Sequence, residues 1–365
     1  MREILKGLTV YTKTGKSLFD ITIDGGVISD IKNSEESCGT VVLPGFIDTH
    51  IHGFGGYGTE DCSAESILKM SENLIRFGIT SFFPTIYTDT EEKMIRSIRA
   101  VSEAKGKEKG AEIAGIHIEG PFISPDKIGA QNPLGRKDPS AEWFLKYLEA
   151  GGGLVKAMTI APELPGIEEV ALEAKKQGVV LLMGHTNCKY AEAIHGYNSG
   201  ITHATHLFNA MRGLSHREPG TVGAVLTTDM TCEIIADGLH VNQQLTKYIF
   251  DTKTSDKVCI ITDSLKPTEQ EEGPFYANDV EVEIDNGLWV TKGRPELIQG
   301  SSLTMYKGFM NALNWGCSVY DASKMTSTTP ARIYDLKNRG KIEIGYKADL
   351  VLLDEKTMQI KRVMF

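Results

Sequence analysis

The stretch "PGFIDTHIHGFGG", from Pro44 to Gly56, contains two histidines separated by one residue, between an apolar run and a glycine-rich segment. In a β-strand the side chains at positions i and i+2 point to the same face. His50 and His52 are therefore predicted to project from the end of one strand into a shared space. The rest of the chain decides whether that space is a functional site.

The composition is that of a globular protein. The chain has 365 residues, of which 41% are hydrophobic and 24% charged, so two domains or one barrel with an appendage are expected. A net charge of −9 gives no general attraction for nucleic acid or an anionic membrane, and neither is expected as a partner. The N-terminal residues contain no apolar signal core, and the six cysteines show no CxxC spacing. Reduced thiols and a cytoplasmic location are predicted.

From about residue 41 onward, short apolar runs rich in β-formers alternate with helical segments. Continuous apolar strands separated by amphipathic helices indicate a parallel sheet that is covered on both faces. Eight such units predict an α/β fold, a (β/α)₈ TIM-type barrel. The predicted strands are Val41–His50, Thr80–Thr85, Ile113–Gly120, Leu154–Pro162, Val179–His185, Ile201–Phe208, Thr231–Gly238 and Lys257–Ser264.

Both ends of the chain are rich in β-formers, as in "SLFDITID" near the start and "ADLVLLD" near the end. The simplest arrangement pairs them in one small β-sandwich-like domain, built from residues 1–43 plus 338–365, beside a barrel of residues 44–337. Between the eighth strand and the C-terminal helices, Asp285-Asn286-Gly287 predicts a β-hairpin.

Polar residues collect where the predicted barrel strands end, and active sites of such barrels are built at that face. Buried polar groups need partners, and a divalent ion would satisfy several converging imidazoles and carboxylates together. A donor set of that kind favours Zn²⁺ or Fe²⁺ over Mg²⁺ or Ca²⁺. Asp263 would lie beside the ion and could take a proton from water. The strand-end residues are His50, His52, His117, Glu119, His185, His203, His206, Asp237, His240 and Asp263.

Two of these histidines are expected outside the ligand set. His117 precedes Glu119 by two residues, so it faces the same side and is a candidate for supporting contacts. His203 precedes His206 by three residues, so in a straight strand it should point away from the site.

Several motifs carry a family resemblance. "PGFIDTHIHG" and "GKIEIGYKADLVLLD" resemble the two end signatures of the amidohydrolase superfamily. In order along the chain, "GIHIEGPFIS", "GAQNP", "GHT", "THLFNAM", "REPG", "ADGLHV" and "TDS" resemble the N-acetylglucosamine-6-phosphate deacetylase family within it. The match runs over nearly the whole chain.

The resemblance implies a metal held by Glu119, His185 and His206, with Asp263 as the general base and acid. His50 and His52 match the HxH motif of the superfamily, which some members of this family have lost. Their presence leaves room for a second metal, so one or two ions per chain are expected.

The resemblance also places the sugar and phosphate near Asn209, Ala210, His240 and Arg217. In this family the arginine of "REPG" reaches the phosphate in the neighbouring subunit, which implies a homodimer. One position departs from the pattern, because Gln131 in "GAQNP" stands where the family often has histidine. Its amide can donate a hydrogen bond but cannot carry a proton.

The predicted function is metal-dependent hydrolysis of N-acetylglucosamine 6-phosphate to glucosamine 6-phosphate and acetate, in amino-sugar metabolism. One alternative is an amidohydrolase acting on a cyclic amide, such as a dihydroorotase or dihydropyrimidinase. Those enzymes bridge two metals with a carboxylated lysine from strand four, for which Lys156 is the candidate. The other alternative is a non-catalytic barrel that serves as a scaffold.

Overall fold

The computed structural model describes residues 2–365; residue 1, the first position of the predicted β domain, lies outside the described residues. The strands are β1 Arg2–Thr12, β2 Gly15–Asp24, β3 Val27–Asn33, β4 Thr40–Pro44, β5 Phe46–Ile51, β6 Gly53–Phe54, β7 Tyr57–Gly58, β8 Ile79–Tyr87, β9 Glu112–Ile113, β10 Ile116–Glu119, β11 Val155–Ile160, β12 Val180–Met183, β13 His203–Ala204, β14 Thr231–Ile235, β15 Val258–Ile261, β16 Phe275–Ala277, β17 Val280–Asp285, β18 Leu288–Thr291, β19 Arg294–Gly300, β20 Leu350–Asp354 and β21 Ile360–Met364. The helices are α1 Ala64–Leu74, α2 Glu91–Ala104, α3 Ala141–Ala150, α4 Ile167–Gln177, α5 Tyr190–Asn198, α6 Gly220–Thr227, α7 Gln243–Lys253, α8 Met305–Asn314, α9 Val319–Ser323 and α10 Thr329–Ile333.

The centre of the molecule is a parallel barrel. Strands β5, β8, β10, β11, β12, β13, β14 and β15 lie side by side in chain order, with one helix after each of the first seven. The barrel is nearly closed where β15 meets β5, because the backbone N–H of Asp263 donates to the carbonyl of His50 at 2.9 Å. This arrangement confirms the predicted (β/α)₈ barrel.

The burial of each element explains why the sequence folds this way. All nine residues of β8 are buried, as expected of a strand with side chains in the barrel on one face and helices on the other. The helix α2 buries Met94, Ile98 and Val101, which share one face at a spacing of four and three residues. The apolar stripe therefore seals the outside of the sheet.

The predicted strands differ most from the observed ones at three places, and one of these is Ile113–Gly120, which divides into β9 and β10. Val41–His50 divides at Gly45, with β4 in one sheet and β5 in the barrel. A Cβ atom on Gly45 would lie 2.1 Å from Oγ1 of Thr80, so this crossing needs glycine. Ile201–Phe208 forms a strand only at His203–Ala204.

The two chain ends meet in a separate six-stranded sheet with the order β21-β20-β4-β1-β2-β3. Its inner face is a small apolar cluster that includes Leu8, Ile21, Ile28 and Leu350, all buried. The domain limits at 43/44 and 337/338 stay a prediction. None of the described helices is long and apolar enough to cross a membrane.

A four-stranded antiparallel sheet, β16 to β19, is inserted between β15 and α8. Its central turn is the predicted hairpin, with φ of 49° at Asn286 and 88° at Gly287, as a type I′ turn requires. Trp289 of this sheet packs in one cluster with Tyr87 and Leu265, near the ends of two barrel strands. The inserted sheet is therefore seated against the mouth of the barrel.

Candidate active site

A cavity of ≈ 250 Å³ opens at the C-terminal end of the barrel. Most of the predicted site residues lie in its wall, and Arg217 does not. His50 lies beneath it, completely buried. The predicted residues that line the cavity are His52, Glu119, Gln131, His185, His206, Asn209, Ala210, His240 and Asp263.

Three of these side chains stand on strained backbone just after a strand ends. The φ angle is 46° at His185, 26° at His206 and 50° at Asp263, all in the left-handed region that side chains other than glycine rarely adopt. Such strain persists only where surrounding structure enforces it, and it is concentrated at functional sites.

Glu119, His185 and His206 form a compact cluster at the bottom of the cavity. Oε1 of Glu119 lies 3.1 Å from Nε2 of His185 and 2.9 Å from Nε2 of His206. The two imidazole nitrogens are 3.2 Å apart. Ligand atoms bound tetrahedrally to one Zn²⁺ at about 2.0–2.1 Å would be roughly 3.3 Å from each other. The donor types and their spacing therefore fit a divalent ion.

Hydrogen bonds on the far side of the rings orient the candidate ligands. Nδ1 of His185 lies 2.9 Å from the carbonyl oxygen of Lys127, and Nδ1 of His52 lies 3.1 Å from that of Thr85. A carbonyl only accepts, so in each ring Nδ1 donates and Nε2 presents its lone pair to the cavity. Nδ1 of His206 has no such partner within residues 2–365.

His50 and His52 contact the same carboxylate, His52 at Oε2 and His50 at Oε1. Nε2 of His52 lies 3.1 Å from Oε2 of Glu119 and 3.4 Å from Oδ1 of Asp263. Nε2 of His50 lies 3.4 Å from Oε1 of Glu119 and from Oδ1 of Asp263. Glu119 thus stands between two groups of imidazoles, in a position to be shared by two ions.

Glu233 was not predicted as a site residue. It lies on β14 with no exposed surface, and its Oε2 is 3.0 Å from Nδ1 of His50. The signal in the sequence was a single carboxylate inside the apolar run "TCEII", where an unpaired charge would be costly.

The electrostatics of the cluster favour positive charge. Burial lowers the pKa of His50, but Glu119, Glu233 and Asp263 together raise it well above its ordinary value. Burial raises the pKa of Asp263, yet His50 and His52 hold it below its ordinary value. Three buried carboxylates around one imidazole therefore create a point where a cation is strongly stabilised.

His117 and His203 make structural contacts. Nδ1 of His117 lies 3.2 Å from the carbonyl of Thr49, and Nε2 lies 2.8 Å from Oγ1 of Thr159. Burial lowers the pKa of His117 to about 3. His203 is buried outside the cavity wall with Nδ1 2.5 Å from Oγ1 of Thr231, as predicted for a side chain that points away from the site.

The groups predicted to meet the sugar and phosphate line one side of the cavity. Nδ1 of His240 lies 2.6 Å from Oδ2 of Asp237, and its buried Nε2 has no partner among the described residues. Nδ2 of Asn209 donates to the carbonyl of His206 at 3.2 Å. Arg217 is exposed on a loop.

The inserted sheet supplies a wall of the cavity that sequence reasoning missed. Residues 296–300 of β19 face the site residues, from Glu296 to Gly300. Residues 296–299 carry no motif, and their contribution depends on how the sheet is seated at the barrel mouth; only Gly300 begins a stretch, "GSSLTM", that resembles the family.

The sequence of this chain matches a known family and several relatives in it. Residues 41–365 match the profile of the amidohydrolase family. The N-acetylglucosamine-6-phosphate deacetylase of Bacillus subtilis (strain 168) is 34% identical over 336 residues, covering 88% of this chain and 83% of the relative. The enzyme of that name from Haemophilus influenzae is 33% identical and covers 96% of this chain and 95% of the relative.

Solved structures of deacetylases have the same fold over nearly their whole length. A mutant of the N-acetyl-D-glucosamine-6-phosphate deacetylase from Mycobacterium smegmatis, in complex with N-acetyl-D-glucosamine-6-phosphate, has a TM-score of 0.91 and 28% identity. It is covered over 97% of its length, and this chain over 100%. The Thermotoga maritima deacetylase has a TM-score of 0.90 and 29% identity, with 100% of this chain and 99% of that one covered. The chain belongs to the amidohydrolase family, among the relatives of its N-acetylglucosamine-6-phosphate deacetylases.

Proposed function

We propose that this protein hydrolyses the N-acetyl group of N-acetylglucosamine 6-phosphate, releasing acetate and glucosamine 6-phosphate. The observation that carries the proposal is the convergence of Glu119, His185 and His206 beside Asp263 in one cavity. The similarity to deacetylases over most of the chain supports the choice of substrate.

The residues of the cavity can divide the chemistry between them. Glu119, His185 and His206 would hold a divalent ion, which would supply Lewis-acid activation of water and of the amide carbonyl. Asp263 lies where its carboxylate can accept a proton from the attacking water and return it to the leaving nitrogen. Burial raises the pKa of Asp263, but His50 and His52 hold it below its ordinary value, so the carboxylate is ionised. Cleavage of the C–N bond then gives acetate and the free amine.

We propose Zn²⁺ or Fe²⁺ as the ion, because imidazole and carboxylate ligands suit both. His50 and His52 would complete a second, weaker position that shares Glu119 and Asp263. The sharing of one carboxylate by two groups of imidazoles supports one or two ions per chain.

The phosphate end of the substrate would lie near Asn209, Ala210 and His240. The free Nε2 of His240 offers a polar contact inside the cavity. Arg217 is exposed and outside the cavity of its own chain, which is consistent with a role across a homodimer interface. A guanidinium would add a bidentate, charge-assisted contact to phosphate.

The cyclic-amide alternative is weaker on the geometry. Its bridging lysine would be Lys156, which would have to lie level with Glu119 to reach the same ions. The residue of β11 that pairs with Glu119 is Thr159, and Lys156 lies three residues earlier, toward the opposite end of the strand. A non-catalytic scaffold would not need to keep Asp263 on strained backbone beside the ligand cluster.

Acetate release by metal-stripped protein, reconstituted with Zn²⁺ or Fe²⁺ in turn, tests the proposal. N-acetylglucosamine 6-phosphate should be hydrolysed only after reconstitution, and unphosphorylated N-acetylglucosamine much more slowly. Dihydroorotate and dihydrouracil serve as the cyclic substrates. Turnover of either cyclic amide without turnover of the phosphosugar would favour the first alternative, and no turnover by fully loaded protein would favour the scaffold.

A further inference from the structure

Glu233 is a charged residue in the interior of the barrel that no step of the proposed chemistry uses. It has no exposed surface and does not line the cavity. Burying a carboxylate costs stability unless its partners compensate, so its surroundings should show what it stabilises.

Every polar contact of Glu233 is with a donor. Its Oε2 lies 3.0 Å from Nδ1 of His50 and accepts from the backbone N–H of His206 at 3.4 Å. Its Oε1 accepts from the hydroxyl of Thr49 at 3.4 Å. The closest of these partners is His50, so the carboxylate acts mainly on that ring.

This contact determines which nitrogen of His50 faces the cavity. An ionised carboxylate accepts only, so Nδ1 of His50 must be the protonated nitrogen. When an ion replaces the proton that the nearby carboxylates favour on Nε2, this nitrogen presents its lone pair to the ion, beside Glu119 Oε1 and Asp263 Oδ1, each 3.4 Å away. Without Glu233, these two carboxylates would favour the other tautomer, in which Nε2 carries the proton and binds no ion.

We propose that Glu233 is a positioning residue that commits His50 to a second cation position, formed with His52, Glu119 and Asp263. This inference rests on the proposed function only in requiring that the cavity hold metal. Glu233 acts through His50 and touches neither substrate nor ion, in the way that carboxylates outside a metal's ligand shell orient ligating histidines.

A different site, with the ion bound directly between Glu233, His50 and His117, fits less well. Both nitrogens of His117 already have partners, the carbonyl of Thr49 at 3.2 Å and Oγ1 of Thr159 at 2.8 Å. An ion there would have to break both contacts. When Glu233 only fixes the tautomer of His50, both contacts of His117 stay intact.

The test is the affinity of each metal equivalent, measured by equilibrium dialysis of metal-stripped protein against Zn²⁺. The variants are Glu233→Leu, which removes the acceptor, and Glu233→Gln, which keeps the shape and an acceptor oxygen. Glu108→Gln is the matched control, because Glu108 is a mostly buried carboxylate that accepts from Ile113 N at 3.0 Å, near the start of β10. Thermal unfolding of the stripped proteins shows whether each variant folds.

The wild-type and control proteins should bind two equivalents. Glu233→Leu should weaken the second equivalent roughly 10–100-fold, with a smaller loss for Glu233→Gln and a change under about threefold in the first. The proposal is overturned if wild type never binds a second equivalent, if both variants keep it within about threefold, or if both equivalents weaken together. Because binding is measured without substrate, a failure of deacetylation would leave this result standing. If the Glu233→Leu protein does not fold, the metal affinities of the Glu233→Gln protein decide whether the proposal holds.

Discussion

Nε2 of Gln131 lies 2.5 Å from Oε2 of Glu119, and the amide oxygen of Gln131 accepts from the backbone N–H of Thr88 at 2.7 Å. The second contact fixes the amide, since only its oxygen can accept that N–H. Gln131 therefore presents a donor to the cavity at every pH, where a histidine would titrate.

This relationship predicts the effect of replacing Gln131. Gln131→Leu removes a hydrogen bond to a charged group, worth roughly 1.5–3 kcal/mol, and should lower kcat/KM about 10–150-fold. Gln131→His should make kcat/KM change with pH near 6.5, roughly the unperturbed pKa of histidine, and the wild-type protein should show no such change there. Profiles of kcat/KM against pH measure both effects, with exposed Gln177→Leu as the control. An unchanged Gln131→Leu profile would show that the contact is dispensable.

The two groups of imidazoles should differ in the ion they hold. His185→Ala should remove the tight metal and the activity together, because His185 and His206 share Oε1 of Glu119. Replacing both His50 and His52 by alanine should leave close to one metal per chain. Metal analysis after dialysis measures this, and His195→Ala is the control because that side chain is 57% exposed. Loss of all metal from the double variant would reverse the assignment.

Asp263→Asn should abolish turnover and leave the tight metal at Glu119, His185 and His206 nearly intact, while it weakens the second equivalent that Asp263 helps to hold. Asparagine keeps the shape but cannot accept the proton, and general acid–base catalysis contributes roughly 10²–10⁴-fold. The measurement is kcat beside metal content, with Asp251→Asn on the exposed face of α7 as the control. More than about a tenth of normal kcat would remove Asp263 from the proton-transfer step.

The barrel and the meeting of polar side chains at one of its faces could be predicted because both follow from local patterns, whereas the choice of Glu119, His185 and His206 as metal ligands followed from the family resemblance and stays a prediction. Apolar runs mark strands, and the rule that barrel sites form where strands end places Glu119 and His185 at one face. Glu233 escaped prediction because it lies inside a strand, where only its partner His50 on a distant strand gives it meaning. The wall formed by 296–300 was missed since it depends on packing between Trp289 and the barrel.

Glu112 predicts a pH dependence of stability. Its carboxylate contacts Lys105 at 2.8 Å, Arg339 at 3.0 Å and Lys347, and so links α2 to the segment that leads into β20. Burial raises its pKa, but these cations lower it from 4.5 to about 2. A folded-state pKa below the unfolded value means that the stabilisation is full above pH 4.5 and is lost as the pH falls toward 2.

Glu112→Gln should therefore lower the free energy of unfolding at pH 7, and the difference from wild type should shrink between pH 4.5 and about 2. Denaturant unfolding across this range measures it. Glu173→Gln is the control, because Glu173 makes only an i,i+3 pair with Lys176 on the surface. A difference that stays constant down to pH 2 would assign the loss to packing instead of charge.

Arg217 is expected to select the phosphate from across a homodimer. A dianion needs local donors, because a net charge of −9 offers no diffuse attraction. Arg217→Ala should cost the phosphorylated substrate roughly 1.5–3 kcal/mol, or about 10–150-fold in kcat/KM, and barely affect N-acetylglucosamine. Exposed Arg99→Ala is the control.

Mixing Asp263→Asn subunits with Arg217→Ala subunits distinguishes a contact that Arg217 makes in the neighbouring subunit from one that it makes in its own chain. In a mixed dimer, the chain with intact Asp263 would receive Arg217 from its neighbour, so one site should recover a normal phosphate contact. Dimers that have exchanged subunits and show no recovery would place the action of Arg217 within its own chain or away from the phosphate.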